Sequence, residues 1–392
     1  MRTIETAQTR VFREEVRDWL QTNGPREKRP PDGAAMRAFD MAWQAKQFEG
    51  GWAGISWPEE FGGRGLPLIE QMIWHEEYSR SGAPSSGNMF VALSHAGPTL
   101  INEGSEAQKA YHLPRILRGE VTWCQGFSEP GAGSDLGALS TRAEIDGDHL
   151  VVNGSKIWTS FGHIAEFQEL LVRTDPDAPK HKGITWVICP MNTPGVEVRP
   201  IRAMSGITHF AQCFYDNARI PLANVVGGLN NGWHVAMTTL GFERGTANIA
   251  HQIELSRTVE KLVEIAAQID APDGGRRAIA DDAIAAELAT LRAEVAALRS
   301  MTALTISRNM RQAVPGPEGN LVALQFGELI RRVMDFALRL LGPRGLERDS
   351  EFGEWPLEYL EAYKWAIGGG TTEIRRNAIG ERLLGLPKGH RA

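Results

Sequence analysis

The chain has 392 residues, and its 42 lysines and arginines against 48 aspartates and glutamates give a formal charge of −6. A hydrophobic fraction of 42% is ordinary for a globular protein, and the length is enough for two or three domains with a core each. The mild acidity argues against a nucleic-acid partner, and no apolar run approaches the ~18 residues of a membrane span, so we predict a cytoplasmic protein.

The first part of the chain, residues 1–120, is predicted to be helical. Between Ala7 and Leu20 apolar residues recur near the period of a helix, and Gly24-Pro25 ends the run. We therefore predict an N-terminal helical domain, with further helices at Leu68–Tyr78, Met89–Asn102 and Glu106–Leu117.

The pattern changes near Val121, and residues 121–226 are predicted to form a β domain, either a barrel or a sandwich. Short runs rich in Val, Ile, Thr and aromatic residues alternate here with turns. Asp146-Gly147 lies between two such runs and predicts a β-hairpin. The runs are Ala143–Ile145, Leu150–Val152, Glu169–Arg173, Ile184–Cys189, Val196–Pro200 and Gln212–Tyr215.

Residues 227–392 are predicted to return to helix. Gly232–Gln268 is interrupted only by glycine, and Asp281–Ala313 ends before Pro315. The second stretch has an apolar seam typical of a helix bundle, formed by Ile284, Leu288, Leu291, Val295 and Leu298. The predicted fold class is therefore α+β, with an N-terminal helical domain, a middle β domain and a C-terminal helical bundle.

Several common chemistries lack their motifs in this chain. The ten histidines are dispersed, and neither His-Glu-x-x-His nor Cys-x-x-Cys occurs, so we expect no metal centre. The segment from Gly126 to Pro130 lacks the second glycine of a nucleophile elbow, and no P-loop or Gly-x-Gly-x-x-Gly follows a strand. A disulfide framework is equally unexpected, because the cysteines are few and scattered, at Cys124, Cys189 and Cys213.

Two segments of the β domain carry groups that suit a planar, polar ligand. Within Phe127–Asp135, two glycines and a proline bend the chain, and Ser128 and Ser134 supply donors beside bare N–H groups. Trp158, followed by two hydroxyl residues, can stack on a ring system and hydrogen-bond to it. The alternatives are a plain connection for the loop, which composition leaves open, and core packing for Trp158, which composition favours.

Two more segments lie in the C-terminal part. Gly241 and Gly245 permit close helix contact on one face, so Glu243 points to the opposite face, where it is solvated, paired or catalytic. Residues alone favour the solvated state. Gly368–Gly370, ahead of a threonine pair, leaves bare backbone at a helix N-terminus, which suits an anion or simply a flexible cap.

Together and in this order, these segments resemble the acyl-CoA dehydrogenase family. The matching elements are Trp57–Gly63, Ser128–Asp135 (Ser-Glu-Pro-Gly-Ala-Gly-Ser-Asp), Asn153–Trp158 and Gly368–Ile374, and the similarity covers roughly Ala7 to Pro387. The resemblance implies a helical, β, helical fold, usually tetrameric, with FAD between the β and C-terminal domains. It also implies α,β-dehydrogenation of an acyl-CoA thioester: a carboxylate takes the α-proton, the β-hydrogen leaves as hydride to the flavin, and an electron-transferring flavoprotein accepts the electrons.

The resemblance assigns roles residue by residue. Ser134 matches a contact to acyl-CoA, and Glu243 falls where isovaleryl and long-chain members carry the catalytic base. Arg244 follows it as in those enzymes and is assigned to the substrate, while the Gly369 N–H is assigned as oxyanion donor. The residues implied to contact FAD are Phe127, Ser128, Trp158, Thr159, Ser160, Thr371 and Glu373, the last standing where the family has glutamine.

Two departures from the family pattern leave alternatives open. Gly368–Thr371 replaces a Tyr-Glu-Gly-Thr that carries the usual base, and the Arg-x-x-Phe-Gly that reaches a neighbouring subunit's FAD is missing. A base on a helix and a glycine wall imply a bulky, branched or long acyl group. The sequence as a whole resembles actinobacterial members of the family, some of which act on steroid side chains. The alternatives are one subunit of a heterotetrameric acyl-CoA dehydrogenase and a flavin-dependent monooxygenase on the same fold.

Overall fold

The structure is a computed structural model that describes residues 6–243, 247–271, 274–309 and 317–388, without the side chains of residues 242, 243, 247–249, 306 and 309. The helices are α1 (Ala7–Asn23), α2 (Gly33–Glu49), α3 (Leu68–Ser81), α4 (Gly97–Glu103), α5 (Glu106–Leu117), α6 (Gly232–Glu243), α7 (Ala247–Gln268), α8 (Asp282–Asn309), α9 (Gly319–Leu341), α10 (Glu354–Ala362) and α11 (Thr372–Ala378). The strands are β1 (Trp123–Gly126), β2 (Arg142–Asp146), β3 (His149–Ser160), β4 (Phe167–Arg173), β5 (Ile184–Pro190), β6 (Val196–Ile201), β7 (Phe210–Pro221) and β8 (Val225–Val226). None of these described helices is long and apolar enough to cross a membrane.

The chain divides into two compact units. The helical unit consists of Met1–Gln21, Leu68–Gly82 and Arg244–Ala392, and the sheet unit consists of Thr22–Pro67 and Ala83–Glu243. The helix, strand, helix order along the chain confirms the predicted fold class. The predicted domain bounds after residues 120 and 226 stay a prediction.

The sheet unit is built on a sheet in the order β6-β7-β3-β2-β4-β5-β8, with β1 added in parallel to β4. The predicted hairpin is confirmed: β2 and β3 pair antiparallel, Asp146 faces His149, and Gly147 adopts a φ of +62°. This turn conformation is available to glycine at no steric cost. Each predicted strand run is found within β2 to β7.

The predicted helix Met89–Asn102 is interrupted by a π-helical turn over Ala92–Ala96, before α4. The indole Nε1 of Trp57 donates to the carbonyl of Leu93 at 3.0 Å, and this is the oxygen to which the Gly97 N–H would donate in an α-helix. The Gly97 N–H bonds to Ala92 O instead, five residues back. A Cβ at Gly97 would lie 2.0 Å from the Trp57 ring, so glycine is required for this packing.

The helical unit has its core among α7, α8, α9 and α10. The predicted seam on α8 is confirmed, because Leu288, Leu291, Val295 and Leu298 are buried and Ile284 packs beside them. In the same unit the buried carboxylate of Glu77 on α3 accepts from Arg13 Nη1 at 2.7 Å and Arg17 Nε at 3.0 Å, both on α1.

The sequence analysis did not predict α2. Its buried positions are Met36, Asp40, Trp43 and Gln44, so half of the buried face is polar. Asp40 is neutralised by Arg29, whose Nε donates to it at 2.6 Å, and the Gln44 amide donates to Leu117 O at 3.0 Å. A hydrophobic-periodicity argument cannot detect a helix whose inner face is satisfied in this way.

Candidate active site

The first part of the site is the loop that continues β1. Phe127 is only 4% exposed, and its side chain packs in the core of the sheet unit, so its main chain is the part available to a ligand. Ser128 is half-buried, and its carbonyl accepts from the Ile157 N–H at 2.9 Å, which ties the loop to β3. Among the described residues nothing hydrogen-bonds to the Ser128 hydroxyl, so it remains available to a ligand.

A buried ion pair fixes this loop. Lys156 on β3 is fully buried, and its Nζ donates to Glu129 Oε1 at 2.8 Å and to the Phe127 carbonyl at 3.1 Å. Glu129 also accepts from the N–H and hydroxyl of Ser140 at 2.7 and 2.8 Å and from the Thr141 N–H at 2.9 Å. Burial alone raises the pKa of Glu129, but the Lys156 ammonium and these donors outweigh it and lower the pKa to about 2.

A bulge in β3 turns Trp158 outward. The pairing of β3 with β7 shifts between Lys156 and Thr159, and Trp158 adopts a φ of +62°, a conformation that non-glycine residues rarely accept. Its side chain is 58% exposed and meets Phe210 edge-on, with ring centroids 5.9 Å apart. The core packing that composition favoured for Trp158 is therefore wrong, because the bulge reverses the side chain's direction.

The two residues after Trp158 differ in their surroundings. Thr159 is fully buried, whereas Ser160 is half-buried. Nothing in the described parts of the chain hydrogen-bonds to the Ser160 side chain. The bulge therefore presents an aromatic face with a free hydroxyl on its strand, and a second free hydroxyl lies on the tethered loop at Ser128.

The far end of the loop adjoins a surface pocket. Ser134 is exposed, and Asp135 beside it forms an ion pair with Lys180. The His181 ring packs on Gly137, where a Cβ would come within 2.8 Å of it, and lies 4.4 Å from Trp233 on α6. The pocket, of about 570 Å³, is lined by Asp175, Ala178, His181, Lys182, Gly183, Asn230, Asn231, Trp233, His234 and Met237.

The predicted base lies at the end of α6. Glu243 is the last residue of this helix, and its side chain lies outside the described part of the chain. Arg244 lies wholly outside the described residues. Their predicted roles stay predictions.

The remaining predicted residues share one loop in the helical unit. Gly369 and Gly370 have φ values of +68° and +113°, which only glycine adopts without strain. Thr371 is the N-cap of α11, and its hydroxyl accepts from the Ile374 N–H at 3.3 Å. Glu373 is exposed, and its carboxylate accepts from the Thr372 hydroxyl at 2.9 Å.

Sequence reasoning missed three buried charges that hold these loops: Glu129, Lys156 and Arg375. Arg375 is 7% exposed and donates to the carbonyls of Ala323, Trp365 and Gly368. The lysine had a signal, because it lies in phase with Leu150 and Val152 on the inward face of a strand. Nothing in the pair Arg375-Arg376 indicates which of the two is buried.

Comparisons with known proteins agree with this architecture. Three family models match: the acyl-CoA dehydrogenase N-terminal domain over residues 6–120, the middle domain over 124–217 and the C-terminal domain over 230–384. Acyl-CoA dehydrogenase IpdE1 of Mycobacterium tuberculosis is 39% identical, with 96% of this chain and 97% of that protein covered.

Two solved structures are similar to this chain over nearly its whole length. The steroid ACAD Tcur3481-Tcur3483 has a TM-score of 0.87 and 30% identity, with 99% of this chain and 100% of that chain covered. The ChsE4-ChsE5 complex from Mycobacterium tuberculosis has a TM-score of 0.83, 30% identity and the same coverage. The predicted resemblance is confirmed: this chain belongs to the acyl-CoA dehydrogenase family of oxidoreductases.

Proposed function

We propose that this chain catalyses α,β-dehydrogenation of an acyl-CoA thioester whose acyl group is bulky, branched or long. The observation that carries the proposal is the exposed Trp158, turned outward by a bulge in β3 and accompanied by free hydroxyls at Ser128 and Ser160. Exposing a tryptophan on a strained backbone has a cost, and such strain persists where a ligand uses it.

FAD fits the residues on this strand and loop. Trp158 offers a face for an isoalloxazine ring, and the two hydroxyls offer donors to its polar edge. When bound, FAD supplies the hydride acceptor that oxidation of a C–C bond requires. Phe127 contributes through its main chain, Thr159 holds the strand in place, and Thr371 and Glu373 are proposed to contact FAD from the glycine loop.

We propose that the pocket beside Ser134 holds the CoA moiety. His181 and Trp233 supply aromatic faces for an adenine ring, and Lys182 supplies an exposed cation for phosphate. The Asp135–Lys180 ion pair ties the loop carrying Ser134 to the residue that precedes His181 of this pocket, so one extended thioester can contact both. Glu243 then takes the α-proton, the Gly369 N–H donates to the thioester oxygen as charge develops there, and Arg244 contacts the substrate.

A heteromeric assembly is the second candidate function. It is favoured by the likeness to the ChsE4-ChsE5 complex and by the missing Arg-x-x-Phe-Gly. In that arrangement this chain supplies Glu243 and a related chain completes the FAD site. The homotetramer is the alternative assembly, and an electron-transferring flavoprotein is the proposed acceptor in either case.

The test is the visible spectrum of the purified chain under anaerobic conditions, before and after addition of CoA thioesters. We expect the flavin absorbance to bleach with isovaleryl-CoA, octanoyl-CoA or 3-cyclohexylpropanoyl-CoA. A colourless chain that gains flavin on co-expression with a related subunit would establish the heteromer. Hydroxylation by supplied reduced flavin and oxygen, without bleaching by any thioester, would overturn the proposal in favour of a monooxygenase.

The assignment of Glu243 has its own variant. Glu243→Gln should slow bleaching by ~10²–10⁴-fold, the usual contribution of a general base. Glu264→Gln, an exposed carboxylate on α7, is the matched control and should bleach at the wild-type rate. Near-wild-type turnover in Glu243→Gln would refute the assignment without affecting the proposed reaction.

A further inference from the structure

A buried arginine holds the glycine loop of the helical unit from behind. Arg375 Nη2 donates to the Gly368 carbonyl at 2.7 Å, and Nη1 donates to the carbonyls of Ala323 on α9 and Trp365, each at 3.1 Å. The guanidinium thus joins α9 to the segment that leads into the glycine loop. Its neighbour Arg376 is exposed and forms an ion pair with Glu328 instead.

The carbonyl that accepts from Arg375 belongs to the same peptide group as the Gly369 N–H. The Gly368 C=O and the Gly369 N–H are the two ends of one planar, trans amide, so they point in opposite directions. When the guanidinium fixes the direction of the carbonyl, it fixes the direction of the N–H as well. A cation on the oxygen also polarises the amide, and a polarised amide is a stronger donor.

The loop needs such an external restraint. Gly368 and Gly369 are exposed and have no side chains to pack, and Gly369 and Gly370 lie at positive φ. Glycine has the largest conformational freedom to lose on ordering. The Gly368 N–H donates to Lys364 O at 2.8 Å, and this bond restrains the Ile367–Gly368 peptide. The next peptide, Gly368–Gly369, is restrained by the bond from Arg375.

We propose that Arg375 is a positioning residue for oxyanion stabilisation: it orients and polarises the Gly368–Gly369 peptide so that the Gly369 N–H meets the thioester oxygen. This inference rests on the proposed dehydrogenation and on Gly369 as its oxyanion donor. Arg375 does not touch the substrate; it acts through the peptide. Lysine is a poor substitute because its compact ammonium lacks the planar, forked set of N–H donors with which Arg375 binds three carbonyls.

The test compares Arg375→Gln and Arg375→Lys with Arg376→Gln, the adjacent exposed arginine, as control. Anaerobic reduction and steady-state turnover are measured with whichever of the three thioesters named above bleaches the wild type. A misdirected donor acts in the transition state more than in the ground state, so kcat should fall about 10- to 100-fold while KM changes less than threefold. Arg376→Gln should retain wild-type kcat and KM.

A spectroscopic readout separates orientation from general damage. In a Glu243→Gln background, the same thioester with a ¹³C-labelled carbonyl is bound, and its C=O stretch is followed by infrared difference spectroscopy. The wild-type Arg375 should shift the stretch to lower frequency than in water, and Arg375→Gln should lose most of that shift while flavin content is unchanged. Arg375→Lys should be intermediate in both kcat and stretch.

The outcomes are distinct. Wild-type kcat and an unchanged carbonyl stretch in Arg375→Gln would overturn the positioning role even if the wild type is an active dehydrogenase. If Arg375→Gln does not fold, Arg375→Lys, which keeps the buried charge, carries the same test, and wild-type values in it would overturn the role. If the wild type oxidises no thioester, alone or co-expressed, the proposed function fails and this inference fails with it.

Discussion

Replacing Lys156 by methionine tests whether the buried ion pair under the Phe127–Asp135 loop is what holds it. Removing the ammonium leaves Glu129 with three remaining donors, from Ser140 and Thr141. Removing one partner of a buried ion pair lowers the free energy of unfolding by ~3–5 kcal/mol. We expect a loss of about 3 kcal/mol for Lys156→Met, because Glu129 keeps its other donors. Glu129→Gln should cost more, about 4–5 kcal/mol, because it strands a fully buried cation.

The assay is thermal and urea unfolding of the single variants and of the double variant Glu129→Gln/Lys156→Met. At ~2–4 °C per kcal/mol for a domain of 150–250 residues, Lys156→Met should lower the Tm of the sheet unit by about 6–12 °C. The double variant should be destabilised by at least ~1.5 kcal/mol less than the sum of the singles, because each single leaves a charge that the double removes. Flavin content should fall in the same variants, since Ser128 and the bulge at Trp158 are tied to this pair.

The pH dependence of stability is a second, independent test of the ion pair. The pKa of Glu129 is lowered to about 2 in the folded chain from its ordinary value near 4.5, so its contribution to stability is complete above pH ~4.5 and is lost as the pH falls toward 2. The difference in stability between wild type and Glu129→Gln should therefore shrink as the pH falls below ~4.5. Glu197→Gln, which breaks the exposed pair with Arg199, is the control and should leave the Tm close to that of the wild type. Additive singles, or Lys156→Met within ~1 kcal/mol of wild type, would refute the reasoning.

Trp158→Ala should weaken FAD binding about tenfold while changing unfolding by less than ~1 kcal/mol, because the ring is exposed; a large fall in Tm with normal flavin content would contradict this. Glu77→Gln should destabilise the helical unit by ~1–3 kcal/mol, since burial raises the pKa of Glu77 but the Arg17 and Arg13 partners lower it further; the loss should shrink as the pH falls below ~4.5, and a pH-independent loss would exclude the ion pairs as its cause. Lys182→Glu should raise KM for the CoA thioester about tenfold with kcat unchanged, as measured by initial rates, whereas the exposed Lys28→Glu should alter neither; equal effects would remove the pocket from the CoA site.

The parts of the fold that were predicted from the sequence are those that a local pattern determines, either a hydrophobic period or a turn dipeptide. The α8 seam and the β2–β3 hairpin are of this kind, because burial on one face or one turn dipeptide determines the local structure. The helix α2 escaped because its inner face carries Asp40 and Gln44, whose partners Arg29 and Leu117 are distant in sequence. Partners of this sort have no local signature.

The candidate site divides in the same way. Motif resemblance located the loops, and the assignment of ligand contacts to residues within them stays a prediction. The direction of Trp158 was not predictable from composition, because it depends on a register shift between β3 and β7 that only the pairing of both strands determines. The buried charges Lys156 and Arg375 were overlooked because a lysine or arginine in a sequence is by default a solvated residue.

Those two charges turn out to do the same physical work in the two units. Lys156 donates to the carbonyl of Phe127, whose amide partner is the N–H of Ser128, and Arg375 donates to the carbonyl of Gly368, whose amide partner is the N–H of Gly369. In each case a buried cation holds the oxygen end of a peptide whose nitrogen end belongs to a residue assigned to a ligand. Because a trans amide is rigid, one strong hydrogen bond to its C=O also fixes the direction of its N–H. No side chain beside the ligand has to be immobilised for this. A glycine or serine loop can then stay open to a bulky thioester and still present N–H groups in fixed directions. On this reasoning, loss of either cation should redirect a donor before it unfolds a domain, so its kinetic effect should exceed what its stability effect explains.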